Sequence, residues 1–346
     1  MSRRFGGQTG RQNSFFRADD SGSRNQIERI CLVANPRAGA GAVGRRADEL
    51  RRAADRAFAN WELCLTEGPG HASVLARSAA DRGFELVAAV GGDGTCNEVV
   101  NGLFEGDHVV HRKTVFTTIP FGTGSDLQKS LEVPRALAEA LWIAATGITL
   151  PGDVGAVSLQ RDGEVHQRKF VNVAGFGANG EVVRRANEMD KRMGGALTFL
   201  SATVSTALTY QPVVTEVSWD GPDGPGQWEG RLMSAFVANG AYCGGGMWVG
   251  RGGSMHDGVL DLTLLPEASK ARQVVDARHL YDGHLERFAG AVRKRVWTVR
   301  ARNAGPAGLQ VDLDGEMPGC LPVELRILPR ALPMRGGWIK APAVGD

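Results

Sequence analysis

The stretch Val90-Gly91-Gly92-Asp93-Gly94-Thr95-Cys96-Asn97-Glu98 carries the strongest structural signal in this chain. It follows the apolar run 86–90, which is typical of a buried strand, and its end belongs to a helical turn predicted over 97–103. At such a junction, free backbone N–H groups and the positive end of a helix dipole favour phosphate. The glycines let the backbone approach a ligand closely. A carboxylate beside phosphate is repulsive, so Asp93 indicates either a bound cation or a role in proton transfer.

Strands and helices alternate on both sides of this stretch, as far as about residue 150. Strands are predicted over 28–34, 61–65, 85–90 and 114–119, and helices between about 50 and 58, over 71–82 and over 134–145. This alternation predicts a parallel sheet with helices on both faces and with ligand loops beyond the carboxyl ends of its strands. Because Asn35, Thr66, Asp93 and Thr123 all follow strand ends, we expect them to converge at one edge of the sheet.

The pattern changes after about residue 150, where short apolar runs are separated by glycine-rich turns. Strands are predicted over 154–159, 170–173, 213–219, 231–238, 259–265, 295–300, 309–313 and 323–328, and helices over 180–192, 196–208 and 271–284. Many short strands of this kind predict a largely antiparallel sandwich or a barrel-like second domain.

Composition excludes several classes of protein. The 346 residues carry a net charge of only +2, which gives no argument for nucleic-acid binding. The five cysteines are scattered singly, as expected in a reduced, cytoplasmic compartment. No apolar run approaches the roughly 18–20 residues needed to cross a bilayer. The arginine-rich segment 1–26 is predicted to be a disordered tail that is either solvated or in contact with anionic lipid.

The run Gly39-Ala40-Gly41-Ala42-Val43-Gly44 matches GxGxxG after a strand, the fingerprint of dinucleotide binding. The segment 35–38 separates the strand from Gly39, whereas in that fingerprint the first glycine follows almost directly, so we disfavour an NAD(P) oxidoreductase. A purely structural glycine turn also fits the run. The sequence contains no Walker GxxxxGK[ST], no HExxH and no GxSxG motif.

The glycine stretch resembles the GGDGT signature that diacylglycerol kinases share with sphingosine, ceramide and NAD kinases. Three more segments resemble motifs of the lipid kinases in the same order along the chain: NPxxG at Asn35–Gly39, PxGTxND at Pro120–Asp126 with Ser125 in place of asparagine, and DGE at Asp314–Glu316. Thr66 resembles the threonine after the second strand. The resemblance spans roughly residues 27–332 and is to the diacylglycerol kinase catalytic-domain family.

The resemblance implies a Rossmann-like nucleotide-binding domain over residues 27–150, completed by about 329–340. It implies an antiparallel β-sandwich lipid-substrate domain over 151–328, with the active site in the cleft between the two. Residues 1–26 would form the tail.

The resemblance also implies roles for individual residues, with ATP and Mg²⁺ as substrate and cofactor. Glu316 would be the general base toward the substrate hydroxyl, with Asp93 and Asp314 as further catalytic carboxylates. The nucleotide would be held by Asn35, Pro36, Gly39, Thr66, Gly92, Asp93, Gly94, Thr95, Asn97, Glu98, Gly122 and Thr123. Carboxylates that hold the nucleotide's Mg²⁺ would be Asp93, Asp126, Asp153 and Asp314.

A second, structural Mg²⁺ is implied at Asp257, with Ser254 and the carbonyl of Val259 as the other ligands. Ser254 stands where a carboxylate is expected. Taken alone, Asp257 also fits an ordinary Asp-Gly turn, Asp126 a helix cap and Asp314-Gly315 a hairpin turn.

The expected activity is ATP-dependent transfer of the γ-phosphate to a lipid hydroxyl, with diacylglycerol giving phosphatidic acid. Sphingosine or ceramide kinase, NAD kinase and a lipid- or nucleotide-sensing pseudokinase are the alternatives. We expect a cytoplasmic protein, peripherally associated with the inner face of the membrane, whose partner is a lipid at that surface. A homodimer is a further option. The apolar stretch 194–210 would line the acyl cleft or form a core helix.

Overall fold

The computed structural model describes residues 27–121, 125–161, 164–188, 202, 205–206, 209–250, 254–303 and 309–338. The predicted tail, Gly122, Thr123 and most of the stretch 194–210 lie outside these ranges.

The first domain alternates strands and helices as predicted. Its strands are β1 (Ile30–Ala34), β2 (Trp61–Leu65), β3 (Leu86–Gly91), the short β4 (Phe104–Glu105) and β5 (His108–Val109), and β6 (Val115–Pro120). Its helices are α1 (Ala38–Arg45), α2 (Ala47–Ala57), α3 (His71–Asp81), α4 (Asp93–Gly102), α5 (Leu127–Ser130) and α6 (Leu137–Thr146).

The four longer strands form a parallel sheet in the order β2-β1-β3-β6. Every residue of β1, β3 and β6 is buried, because helices cover both faces of the sheet. The buried residues of α3 are all alanines, which allow a close approach to the sheet. This arrangement confirms the predicted Rossmann-like domain.

The second domain is rich in antiparallel strands. Its strands are β7 (Ile148–Arg161), β8 (Glu164–Phe170), β9 (Val173–Gly177), β10 (Val213–Asp220), β11 (Gly226–Ala238), β12 (Tyr242–Cys243), β13 (Met247–Trp248), β14 (Leu260–Pro266), β15 (Val292–Val296), β16 (Thr298–Asn303), β17 (Gln310–Leu313), β18 (Glu316–Cys320) and β19 (Val323–Gly336). Its helices within the described ranges include α7 (Ala178–Glu188), α8 (Lys270–Asp276) and α9 (His279–Asp282), with a 3₁₀ turn at Leu285–Arg287.

Strand β11 lies at the centre of this domain. Its first half pairs with β10, and its second half pairs with β9 and β14. Strand β9 continues to β17 and then β18, so the hairpin that carries the DGE motif lies at one end of this row. A separate hydrophobic core fills the domain, with Phe170 and Phe176 as its largest fully buried side chains. The predicted β-sandwich class is confirmed.

The two domains share their longest strands. Strands β7 and β19 run antiparallel along their length. The end of β19 then pairs in parallel with β6, where Met334 lies opposite Phe116. The last strand of the chain therefore extends the first domain's sheet, which holds both domains in one hydrogen-bonded framework.

One predicted strand is divided in the structure. The run 295–300 breaks at Trp297, because the chain changes partners there: β15 pairs with β14, whereas β16 pairs with β10 and β19. The predicted helix 271–284 ends at Asp282, where Gly283 adopts a left-handed conformation with φ 77°.

Candidate active site

The glycine stretch forms the junction between β3 and α4. Gly92 precedes the helix in an extended conformation, and Asp93 is the first helical residue. A Cβ added at Gly91 would lie 2.6 Å from the hydroxyl oxygen of Thr95, so only glycine fits there. The first turn of α4 consequently lies against the end of the strand, where its N–H groups can meet an anionic ligand.

Asp93 connects this loop to the start of α5. Its two carboxylate oxygens accept hydrogen bonds from the backbone N–H groups of Asp126 and Leu127, each at 3.0 Å. Burial and the nearby charge of Asp126 raise the pKa of Asp93 to about 6. The carboxylate is therefore a fixed acceptor beside the glycine loop, and it binds its proton more tightly than an ordinary aspartate does.

Asp126 reaches across to the second domain. Its carboxylate accepts hydrogen bonds from the Lys129 ammonium at 2.8 Å and from the Gly245 backbone N–H at 2.6 Å. It is almost fully buried. The PxGTxND segment thus fixes the position of the glycine turn at 244–246 relative to the first domain.

The DGE segment forms the turn between β17 and β18. Asp314 and Gly315 both have positive φ, 51° and 89°, as a two-residue hairpin turn of type I′ requires. The carboxylate of Asp314 accepts hydrogen bonds from the Asn97 side chain and from the backbone N–H groups of Val171, Asn172 and Val173, at 2.8–2.9 Å. Asp314 therefore ties the hairpin to α4 and to the segment before β9.

Glu316 comes immediately after this turn and lies over the glycine loop. A Cβ added at Gly94 would lie 2.9 Å from the Glu316 Oε1 atom. Two motifs from opposite ends of the chain thus meet, and glycine at position 94 leaves space for the carboxylate.

Asp312 is a site residue that the sequence reasoning did not single out. Burial, together with the charges of Asp314 and Glu316, raises its pKa to about 8. Its Oδ1 atom accepts a hydrogen bond from the Gly315 N–H at 2.8 Å. The signal that could have found it is its spacing: residues 312 and 314 alternate along a strand end that also leads into Glu316.

These residues surround a cavity of about 690 Å³ between the two domains. At its first-domain end it is lined by most of the predicted nucleotide residues: Asn35, Gly39, Thr66, Gly92, Asp93, Gly94, Thr95 and Glu98. Arg37 also lines this end and was not predicted. Its guanidinium would add positive charge for phosphate.

Two predicted nucleotide residues do not line the cavity. Asn97 is buried and donates its side-chain hydrogen bonds to the Lys169 carbonyl and to Asp314. Pro36 packs against Gly44, where an added Cβ would lie 3.1 Å from the Pro36 carbonyl oxygen. Both residues support the wall of the cavity without facing it, because their polar atoms form hydrogen bonds inside the protein.

Glu98 lines the cavity, but its carboxylate has a structural task. It accepts hydrogen bonds from the backbone N–H groups of Gly70 and Ala72, at 2.9 and 3.1 Å, at the N-terminus of α3. A carboxylate in this position satisfies free amides and complements the helix dipole. It fixes the loop after Thr66.

The two remaining predicted metal residues lie away from the cavity. Asp153 is fully buried, and its oxygens accept hydrogen bonds from the N–H groups of Gly258 and Arg330, each at 2.7 Å. The prediction that Asp153 holds the nucleotide's Mg²⁺ does not agree with this position. Its carboxylate instead joins the turn before β14 to the bulge in β19.

Asp257 does not fit the predicted structural Mg²⁺ site. Its Oδ2 atom forms an ion pair with Arg295 at 2.7 Å, and its Oδ1 atom accepts the N–H of Val259 at 3.3 Å. The charge of this carboxylate is therefore balanced by a guanidinium.

The acidic residues at the cavity fit a metal that arrives with the nucleotide. Within the described ranges, no three His, Cys, Asp or Glu side chains converge as a preformed metal site. Mg²⁺ at phosphates needs only one or two carboxylates, and Asp93 and Asp126 line the cavity beside the glycine loop. Burial and the charge of Asp126 together raise the pKa of Asp93, and a cation beside it would offset both effects.

The second-domain end of the cavity is mainly apolar. Its lining includes Val173, Ala178, Val182, Met233, Phe236, Leu265, Leu280 and Phe288. Helix α8 adds Gln273 and Asp276, each with one buried oxygen that has no hydrogen-bond partner among the described residues. No sequence motif marks α8, so sequence reasoning did not find these two residues.

No helix in the described part of the chain has the length and apolar character that a membrane span requires.

Comparison with known proteins connects both domains to lipid kinases. The model of the diacylglycerol kinase catalytic domain matches residues 29–157, and that of the YegS C-terminal NAD kinase beta sandwich-like domain matches residues 172–335. The diacylglycerol kinase of Bacillus subtilis is 28% identical over 305 residues, which cover 86% of this chain and 93% of that protein.

A "Probable lipid kinase YegS-like" of Xanthomonas oryzae pv. oryzae is 30% identical over 286 residues, which cover 80% of this chain and 89% of that protein. The crystal structure of a diacylglycerol kinase from Bacillus anthracis superposes with a TM-score of 0.63 at 20% identity, over 92% of this chain and 99% of that one, and so shares the fold. Since these matches extend through both domains, the chain belongs to the diacylglycerol kinase catalytic-domain family.

Proposed function

We propose that this protein transfers the γ-phosphate of ATP to the hydroxyl of a lipid, with diacylglycerol as the acceptor and phosphatidic acid as the product. The observation that carries the proposal is the position of Glu316 over Gly94. This position brings a carboxylate close to the glycine loop, beside which the phosphates would bind. The apolar end of the same cavity offers a place for acyl chains.

Each end of the cavity would have its own task. The amides at the start of α4 and the side chains of Arg37 and Thr66 would bind the phosphates. Asp93 and Asp126 would hold the Mg²⁺ that accompanies the nucleotide, which neutralises charge on the transferring phosphoryl group. Glu316 would accept the proton of the lipid hydroxyl as that oxygen attacks phosphorus.

The name of the Bacillus subtilis relative favours diacylglycerol among the acceptors. Sphingosine and ceramide also offer a hydroxyl on an apolar chain. Because a lipid acceptor resides in a membrane, we propose that the protein binds peripherally, at the inner face of the membrane.

A transfer assay with labelled ATP and Mg²⁺ tests the proposal. The panel is diacylglycerol, monoacylglycerol, sphingosine, ceramide and NAD. We expect label in diacylglycerol, at a rate that falls by about two to four orders of magnitude in Glu316→Gln, as for loss of a general base. Asp93→Asn should also lose transfer.

Glu229→Gln, a change of an exposed carboxylate on β11, is the matched control and should keep the wild-type rate. Label only in a sphingolipid would reassign the acceptor, and label only in NADP would overturn the lipid kinase proposal. Near-normal transfer by Glu316→Gln would refute the base assignment.

A further inference from the structure

Residues 270–282 form a nearly unbroken helical segment beside the cavity. Helices α8 and α9 are joined by Ala277 and Arg278, whose backbone angles are themselves right-handed helical (φ −55°, ψ −27° and φ −58°, ψ −32°). We call the stretch 270–282 the rim segment. Its sides can therefore be assigned by helical spacing.

The inner side of the rim segment belongs to the cavity. Gln273, Asp276, Ala277 and Leu280 recur at helical spacing, and all of them line it. Ala289, which follows the segment closely, is exposed and also lines the cavity. The cavity thus reaches the molecular surface next to the rim segment.

The outer side of the rim segment is apolar although it faces solvent. Val274 is 59% exposed, Val275 is 53% exposed and Tyr281 is 44% exposed. Trp248, 39% exposed, extends this surface, because its ring packs over Gly283 directly after the segment. Such a concentration of exposed large apolar side chains marks an interaction surface.

Basic residues flank this apolar surface. Lys270, Arg272, Arg278 and Arg287 are all exposed. The nearby carboxylates are engaged: Asp276 is paired with Arg272 on the inner side, Asp282 with His279, and Glu286 with Arg293 and His284. A helical surface with valines, tyrosine and tryptophan outward and basic residues among and beside them is suited to a phospholipid surface.

We propose that the outer side of the rim segment, with Trp248, docks on an anionic phospholipid bilayer. Docking would hold the exposed end of the cavity against the bilayer, so that the lipid enters the apolar end without crossing water. Aromatic rings favour the bilayer interface, and basic side chains reach the lipid phosphates. This inference rests on the proposed function, because it supplies the route of the lipid.

Vesicle flotation of the full chain tests the surface, with Val274→Asp/Val275→Asp as the variant. Its matched control is Val74→Asp/Val165→Asp, which adds the same two charges at valines that are 62% and 66% exposed on α3 and β8. On vesicles with phosphatidylglycerol, we expect wild type and control to float alike and the rim variant to bind at least about tenfold more weakly. Vesicles of phosphatidylcholine alone should bind all three proteins weakly.

A second readout separates docking from catalysis. With dioctanoylglycerol below its aggregation limit, the rim variant should keep the wild-type rate within about twofold, while its rate on vesicles falls about as far as its binding. Arg278→Glu provides an independent variant and should weaken binding to anionic vesicles alone. Flotation of both rim variants like wild type would refute the surface, whatever the activity. A wild-type protein that floats but phosphorylates no lipid would refute the proposed function and leave the docking surface standing.

Discussion

Asp312 and Asp314 are close neighbours in the sequence, but the protein uses their carboxylates differently. Asp314 accepts hydrogen bonds from groups that come from α4 and from the segment before β9. Asp312 accepts a hydrogen bond from the N–H of Gly315 and lies among other carboxylates. Burial raises the pKa of both groups. Asp314 is a structural acceptor with four hydrogen bonds, whereas Asp312 holds its proton with a pKa of about 8.

The raised pKa of Asp312 predicts a pH dependence of stability. In the unfolded chain this carboxyl loses its proton near pH 4, whereas in the folded protein its pKa is about 8. The folded state binds the proton more tightly, so the contribution of Asp312 to the free energy of unfolding falls as pH rises from about 4 to about 8.

Asp312→Asn should remove this part of the pH dependence. Urea unfolding at pH 5 and pH 8, in buffer with a chelator, measures it. We expect the variant to gain stability relative to wild type at pH 8 but not at pH 5. Equal differences at the two pH values would contradict the assigned pKa.

Asp314→Ala should destabilise the protein by roughly 3–5 kcal/mol, since it leaves buried N–H groups without an acceptor. Guanidinium unfolding measures the loss. Asp223→Ala, in an exposed turn, removes the same group without buried partners and should change the free energy of unfolding by less than about 0.5 kcal/mol. A loss for Asp314→Ala no larger than that of its control would show that these hydrogen bonds are not important to stability.

The end of β19 joins the two domains, because this last described strand extends the sheet to which β1 belongs. Buried Arg335 holds it there. Its guanidinium donates to the carbonyls of Ala144 and Ala145 at the end of α6, at 3.0–3.1 Å, and to the hydroxyl of Thr149 at 2.9 Å. A cation at a helix C-terminus satisfies free carbonyls and complements the dipole.

Arg335→Met should therefore reduce the free energy of unfolding by about 2–3 kcal/mol, through lost charged hydrogen bonds. Arg330→Met makes the same change at an exposed position of the same strand and is the matched control. Thermal and urea unfolding should show a clear loss only for Arg335→Met. Similar stability of the two variants would mean that strand pairing alone holds β19 in place.

Each domain has its own hydrophobic core, but the two domains share one hydrogen-bonded framework. Strands β7 and β19 pass through both domains, and the Asp126–Gly245 and Asn97–Asp314 hydrogen bonds cross the cleft. We therefore expect the domains to unfold together. In hydrogen exchange followed by mass spectrometry at increasing urea, peptides from β3 and β14 should lose protection at the same denaturant concentration. Earlier loss in β14 would show that the second domain unfolds independently.

Local features of the chain could be predicted from sequence because their causes are local. The glycine stretch after an apolar strand predicts the β3–α4 junction, since only neighbouring residues determine backbone freedom and apolar spacing. The same holds for the DGE turn, where the left-handed conformations of Asp314 and Gly315 suit a hairpin of type I′. The alternation of strands and helices likewise predicted the class of the first domain, and the short strands separated by glycine-rich turns predicted that of the second.

The tertiary structure decided which carboxylates face the cavity. Asp153 and Asp312 both lie in β-rich sequence. Asp153 accepts hydrogen bonds from Gly258 and Arg330, which are distant from it in the sequence. Asp312 is brought to the cavity by the pairing of β17 with β9. The rim segment shows no motif, and only its packing reveals which side lines the cavity. Burial, hydrogen-bond partners and pKa arise from contacts between distant segments, and local sequence does not encode which segments will meet.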